Sequence, residues 1–153
     1  MERTLAIIKP GAVKRLLIGE IITRFERKSL RIVALKMMQL SDEILKEHYS
    51  HLIEKPFFQG IKDSMQASPV VVCCLQGVDA VRVVRDMTGP TNSRNAAAGT
   101  IRGDYSMSVR ENIIHTSDSI ENAKIELDRF FVASDYCTYK EEDFSSLYAE
   151  DEF

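Results

Sequence analysis

Thr4-Leu-Ala-Ile-Ile-Lys9, followed by Pro10-Gly-Ala-Val13, is the stretch that decides the fold. Its first six residues are a short run, β-branched in part, and Pro10 cannot donate to a strand ladder, so they read as a strand whose last side chain is Lys9. The turn after that strand discriminates between architectures. A doubly wound parallel sheet carries a glycine-rich phosphate cradle at its first turn, yet neither GxGxxG nor GxxxxGK[ST] occurs in the chain. Any phosphate must therefore be held by side chains.

Working outward, Gly19 precedes EIITRFERK, where Ile21, Ile22 and Phe25 form one helical stripe. A second strand is expected over residues 30–38. Ser41, Asp42 and Glu43 supply N-cap chemistry for a helix to about residue 49, and Pro56 opens another with Phe58, Ile61 and Met65 on one face. These two helices read as an insert. Residues 70–75 are continuously apolar and predict a buried strand, with a helix over 78–87. From 88 to 110, Gly89, Pro90, Gly99 and Gly103 interrupt any pattern, and a loop of that length is commonly functional. Residues 112–115 form a short strand, and Thr116-Ser-Asp-Ser119 caps a last helix with Ile120, Ala123, Leu127, Phe130 and Phe131 on one side. Two strand-helix-strand halves of this kind fit an α+β sandwich of the ferredoxin-like type. The expectation is a four-stranded antiparallel sheet covered by helices on one face, with a helical insert and a long loop before the last strand.

Composition bounds the rest. The 153 residues are 44% apolar, enough for one core, so a single domain over 1–153 is expected. The longest apolar run is far short of a membrane span, and the N-terminus lacks secretory features, so a cytoplasmic protein is expected. Cys73, Cys74 and Cys137 make an odd set without CxxC spacing, and the first two read as reduced core residues. Net charge is −3, but residues 141–153 hold six acids and no Lys or Arg, which leaves the preceding body at +3. That excess is too small for a nucleic-acid surface and suits a small polyanion. Residues 133–153 read as an acidic C-terminal extension. Tyr136, Tyr139, Phe144, Leu147 and Tyr148 imply that part of it packs, on this chain or a neighbouring subunit.

Of the three histidines, His48 and His51 lie three apart in a polar segment and read as solvated surface residues. His115 ends an apolar strand directly before a helix N-terminus, where anions are favoured. Arg102, in Gly99-Thr-Ile-Arg-Gly103, joins Arg82 and Arg85, three apart on one helix face, and Lys9. With Thr91 and Asn112 as neutral donors, these make a set that can hold a polyphosphate by side chains.

At these residues the sequence resembles the nucleoside diphosphate kinases. The matching stretches are ERTLAIIKPGAV at 2–13, GEIITRFERKSLRIVALKM at 19–37, HY at 48–49, KPFF at 55–58, GPTN at 89–92, GTIRGDY at 99–105 and NIIHTSDS at 112–119. The resemblance implies ping-pong transfer of a γ-phosphate between nucleotides through a phosphohistidine at His115. It further implies that Lys9, Arg85, Thr91 and Arg102 hold phosphates, that Asn112 and Lys9 reach the ribose hydroxyl, that Phe57 stacks on the base, and that Tyr49 and Glu126 complete the site. Mg2+ is expected to arrive with the nucleotide, with no protein metal site. The partners implied are nucleoside di- and triphosphates, with no membrane and no specific nucleic acid, in a homo-oligomer with a hexamer ahead of a tetramer. Broad base specificity follows from an aromatic face that every base can stack on.

The residues agree where they speak. Glu126 lies three residues after Ala123 and four before Phe130, at the edge of the last helix's inward face, within reach of the His115 ring. An ordinary imidazole is largely neutral at neutral pH and nucleophilic without an added base. A histidine phosphocarrier that docks on proteins and a catalytically silent member of the same fold are competing readings. The former needs no base platform at Phe57, and the intact set His115, Lys9, Arg102 and Asn112 opposes the latter. The chain departs from the family pattern at Leu16, Ser93 and Thr116, where Gly, Pro and a small residue are usual.

Overall fold

The opening segment forms β1 (Glu2–Ile8) and lies at the centre of a four-stranded sheet. A computed structural model describes residues 1–140, 146–149 and 151–152. Along the chain, β1 is followed by α1 (Pro10–Lys14), α2 (Ile18–Arg27), β2 (Arg31–Met38), α3 (Asp42–His48), α4 (Phe58–Gln66), β3 (Val70–Gly77), α5 (Ala80–Thr88), α6 (Ile101–Tyr105), β4 (Ile114–Thr116) and α7 (Ile120–Phe130). The strand order is β2-β3-β1-β4 and every pairing is antiparallel. This is the ferredoxin-like α+β arrangement expected from the sequence.

Alternation along the central strands creates two apolar layers, because successive side chains point to opposite faces. Ala6, Ile8, Val71, Cys73 and Leu75 pack with Ile21 and Phe25 of α2 and with Ala80 and Val84 of α5. Leu5, Ile7, Val70, Val72 and Cys74 pack on the other face with Leu45 of α3, Met65 of α4, and Leu127 and Phe130 of α7. The expectation of helices on one face is thus corrected. A strand apolar at six consecutive positions must be covered on both sides, and the helical insert and α7 supply the second cover. Phe25 is fully buried, and truncating such a side chain to Ala typically costs about 3–5 kcal/mol.

Local chemistry sets the boundaries. Pro10 occupies the first turn of α1, where its missing N–H costs nothing, so it ends the strand by starting a helix. Ser41, Thr100 and Ser119 cap α3, α6 and α7, accepting from the backbone N–H of Ile44, Gly103 and Asn122. The segment read as a loop over 88–110 contains α6 and a single turn at Ser93–Asn95. Gly103 makes that compaction possible, since a Cβ there would lie 2.0 Å from the Ala97 carbonyl oxygen. The last strand begins two residues later than expected, at Ile114.

The described part of the extension packs on its own chain. Cys137 N donates to Val33 O at 2.7 Å, Tyr139 Oη donates to Ile32 O at 2.8 Å, and Val78 N donates to Tyr148 Oη at 3.3 Å. The packing expected of Phe144 and the charges at Glu141, Glu142, Asp143 and Glu150 lie outside the described residues. Cys73 and Cys74 are buried and reduced, and burial pushes both thiols up to about 12. No described helix is long and apolar enough to cross a membrane.

Candidate active site

The ends of β1 and β4, the first turns after them, α7, and the segment from α5 to α6 converge on one open cavity of about 500 Å³. Antiparallel pairing sets His115 opposite Ile7, two residues before Lys9, so the two chemical residues emerge at the same edge of the sheet. The half-buried His115 ring meets Glu126 from α7, with Nε2 and Oε1 2.9 Å apart. The other Glu126 oxygen accepts from Ser117 Oγ at 2.6 Å. Burial raises the Glu126 carboxyl, but the hydrogen bonds from His115 and Ser117 and the electrostatic pull of the two histidines His115 and His48 outweigh it and hold the group down at about 2. An ionised carboxylate only accepts, so the proton of neutral His115 sits on Nε2 and Nδ1 carries the lone pair.

Across the cavity, Lys9 Nζ donates to Asn112 Oδ1 at 2.6 Å and to Arg110 O at 3.3 Å. Burial, then the Arg102 cation, lowers its ammonium from 10.5 to about 8, against a smaller opposing pull from Glu111. Asn112 is buried, and its Nδ2 donates to Thr91 O at 3.0 Å, so both ends of the amide are fixed. Arg102 is 5% exposed and donates to the carbonyls of Gly89, Asn112 and Ile114 at 2.8, 3.2 and 2.6 Å. Burial, then Arg85, lowers its guanidinium to about 10, which leaves it charged at neutral pH. Arg85 is exposed on α5 and reaches the Thr116 carbonyl at 3.4 Å.

Ile113 connects Asn112 to β4 with φ of +73°, and Ile114 N donates to Asn112 O at 2.8 Å. A β-branched residue in that left-handed region stores about 1–3 kcal/mol of strain, held here by burial and by the Lys9 N–H on its carbonyl. Thr116 is 2% exposed, and its hydroxyl has no hydrogen-bond partner among the described residues.

Lys9, Tyr49, Arg85, Thr91, Arg102 and Asn112 therefore share one cavity with His115 and Glu126. Phe57 does not line it. Phe57 holds the N-cap position of α4 at 43% exposure, one helical turn before Ile61, which does line the cavity. Arg82 stands apart, pairing with Asp79 and Asp86 on the surface.

His48 corrects the surface reading. It is 8% exposed, its ring meets that of His115 edge-on with centroids 4.6 Å apart, and it also contacts Tyr49 and Phe130. Burial, then His115, pushes it down to about 3. The available signal was its position three residues after Leu45, on the buried side of α3. His51 is exposed at the cavity rim, as expected. The sequence does not single out Ser117 or Arg129 as site residues, and Arg129 is identifiable there only as the residue one turn after Glu126.

Among the described residues, His48, His115 and Glu126 bring ligand-type atoms within 4.8 Å of one another. Arg129 Nη1, 3.0 Å from His48 Nδ1, opposes a second cation there. Among the described carboxylates at the cavity, Glu126 is engaged by His115 and Ser117, Asp118 accepts from Asn122 at 2.6 Å, and Glu47 pairs with Arg129.

The nucleoside diphosphate kinase family model matches residues 2–136. A nucleoside diphosphate kinase of Parabacteroides distasonis is 63% identical over 153 residues, the whole of both chains, and one of Rhodopirellula baltica is 48% identical over 139 residues, 91% of each. Among solved structures, a halophilic nucleoside diphosphate kinase of Halobacterium salinarum in complex with CDP superimposes with a TM-score of 0.92 at 38% identity. That superposition covers 96% of this chain and 98% of the other.

Proposed function

This chain belongs to the nucleoside diphosphate kinase family and is such a kinase, and from that premise we propose that His115 carries the phosphoryl group between nucleotides. The observation that carries this reading is the tie of His115 Nε2 to ionised Glu126, which frees Nδ1 in a cavity lined by Lys9, Arg85 and Arg102. The Nδ1 lone pair attacks the γ-phosphorus of a nucleoside triphosphate, the bond to the β-γ bridging oxygen breaks, and the diphosphate departs with that electron pair. Glu126 stabilises the positive charge that grows on the ring as the N–P bond forms, while the cations neutralise the phosphate oxygens. A β-phosphate oxygen of a second nucleoside diphosphate then attacks the same phosphorus and His115 leaves.

Mg2+ belongs to the substrate as the metal–nucleotide complex and is held by phosphates. Lys9 and Asn112 take the ribose hydroxyl, Thr91, Arg85 and Arg102 the phosphates, and Phe57 the base once α4 and the turn before it meet the nucleotide. The CDP held by the Halobacterium salinarum relative supports a nucleotide in this cavity. Recognition through shared ribose and phosphates implies broad base specificity. The apolar side chains exposed on edge strand β2, Leu35 and Met37, support a homo-oligomer, for which we favour a hexamer. Three free cysteines fit a cytoplasmic setting, and one domain with 133–153 as its extension fits the contacts of the tail.

Intact mass tests the reaction. Incubation with ATP and Mg2+ should add one acid-labile phosphoryl group, which GDP, CDP and UDP should each remove within about 1,000-fold of one another in efficiency, the limit that stacking differences set. Labelling that survives His115→Asn would refute the assignment.

A further inference from the structure

His48 sits between two groups that bear on the chemistry. Its Nδ1 lies 3.0 Å from Arg129 Nη1 and 3.9 Å from Glu126 Oε1, the oxygen that holds His115. Arg129 is one turn beyond Glu126 on α7, is 10% exposed, and places its Nε 3.0 Å from Glu47 Oε1 as an ion pair on its outer side. A guanidinium can only donate, so the His48 nitrogen it meets must present a lone pair, and the proton of the neutral ring is confined to Nε2. That Nε2 is buried and has no hydrogen-bond partner among the described residues. Without the guanidinium the proton is free to move to Nδ1, whose nearest carboxylate is Glu126 Oε1 at 3.9 Å, a short side-chain shift from hydrogen-bond distance. Arg129 is the contact that imposes the observed arrangement.

We propose that Arg129 is a positioning residue for phosphoryl transfer: by donating to His48 Nδ1 it fixes the tautomer of that ring and reserves Glu126 for His115. The inference rests on His115 as the phosphoryl acceptor. A third donor on Glu126, beside His115 and Ser117, would spread the carboxylate's charge and loosen the His115 ring, whose face His48 also braces. The groups that face His48 are His115 from β4, Glu126 and Arg129 from α7, and Tyr49 and His51 from its own segment. Burial and three of these neighbours (His115, Arg129 and His51) keep the ring neutral, and Glu126 pulls the other way. Removing Arg129 removes one restraint, so His48 titrates at a higher pH and, once protonated, competes for Glu126. The effect grows as pH falls.

The test compares wild type with Arg129→Leu and Arg129→Lys, the second of which keeps a donor-only cation. Nitrogen-15 shifts of the His48 ring at pH 7, without nucleotide, should report a proton on Nε2 in wild type and Arg129→Lys, and on Nδ1 or shared in Arg129→Leu. The rate of phosphoenzyme formation from ATP and Mg2+ should fall about 3- to 10-fold at pH 6 in Arg129→Leu, the scale of one displaced hydrogen bond. Its acid limb should lie above that of wild type, with Arg129→Lys restoring the wild-type profile. A wild-type ring protonated on Nδ1 overturns the proposal, and so does an Arg129→Leu enzyme slowed equally at every pH with its tautomer unchanged. If Arg129→Leu fails to fold, the wild-type spectrum and Arg129→Lys still decide. Absence of phosphate on His115 would overturn the functional reading instead, because the tautomer is read without nucleotide.

Discussion

Replacing Arg102 by Ala should damage the fold and the reaction together, whereas replacing Arg85 should damage only the reaction. Arg102 makes three hydrogen bonds to backbone carbonyls of two separate segments, at Gly89 after α5 and at Asn112 and Ile114 leading into β4, from a site that is 5% exposed. Hydrogen bonds to a charged donor contribute about 1.5–3 kcal/mol each, and part of that is offset by the desolvation of the guanidinium. With non-additivity allowed for, the truncation should cost about 3–5 kcal/mol, which for a chain of this size corresponds to roughly 6–20 °C in Tm. Arg85 has one contact at 3.4 Å and is exposed, so Arg85→Ala should unfold within about 0.5 kcal/mol of wild type. Both substitutions should lower kcat/KM by roughly 10- to 1,000-fold, as expected when one charge-stabilising group leaves a phosphoryl-transfer site. Urea denaturation read beside steady-state kinetics separates the two effects. An Arg102→Ala variant with a wild-type midpoint would refute the staple role drawn from its three carbonyls, and wild-type kinetics in both variants would refute the clamp.

Lys9, lowered to about 8, is fully charged only below that pH, so kcat/KM should fall as pH rises through 8. Bound phosphate raises its pKa again, so kcat should hold to higher pH; a flat kcat/KM from pH 7 to 9.5 would contradict this. Leu16 is 88% exposed with φ of +59°, and an L side chain there costs about 1–2 kcal/mol against the extra entropy of glycine. Leu16→Gly should accordingly stabilise the protein by up to about 1 kcal/mol in urea denaturation with kinetics unchanged, and a loss of stability would count against the strain.

What the sequence disclosed and what it hid divide along the range of the interactions. The strands, the caps at Ser41 and Ser119, and the six-residue apolar run of β3 are local, and periodicity makes them readable. That run also carried the signal for a sheet covered on both faces, but the long polar segments of α3 and α4 obscured which helices would supply the second cover. Lys9, Asn112 and His115 were legible as types at strand ends, yet their meeting depends on the register that sets Ile7 against His115. The left-handed Ile113 was not legible at all, since its own propensity opposes the conformation and the Lys9 N–H, the hydrogen bond from Ile114 N to Asn112 O and burial impose it. His48 is the instructive failure. In a segment rich in Lys and Glu it looks solvated, because composition averages over the helix, while burial is decided by the single face that carries Leu45 and His48. The buried ring is in turn met by Arg129, a residue 81 positions away whose side chain looks in the sequence like any charged surface residue. A site residue whose role is exercised through another side chain has no spacing signature, so it becomes visible only when donors and acceptors are counted around a buried group.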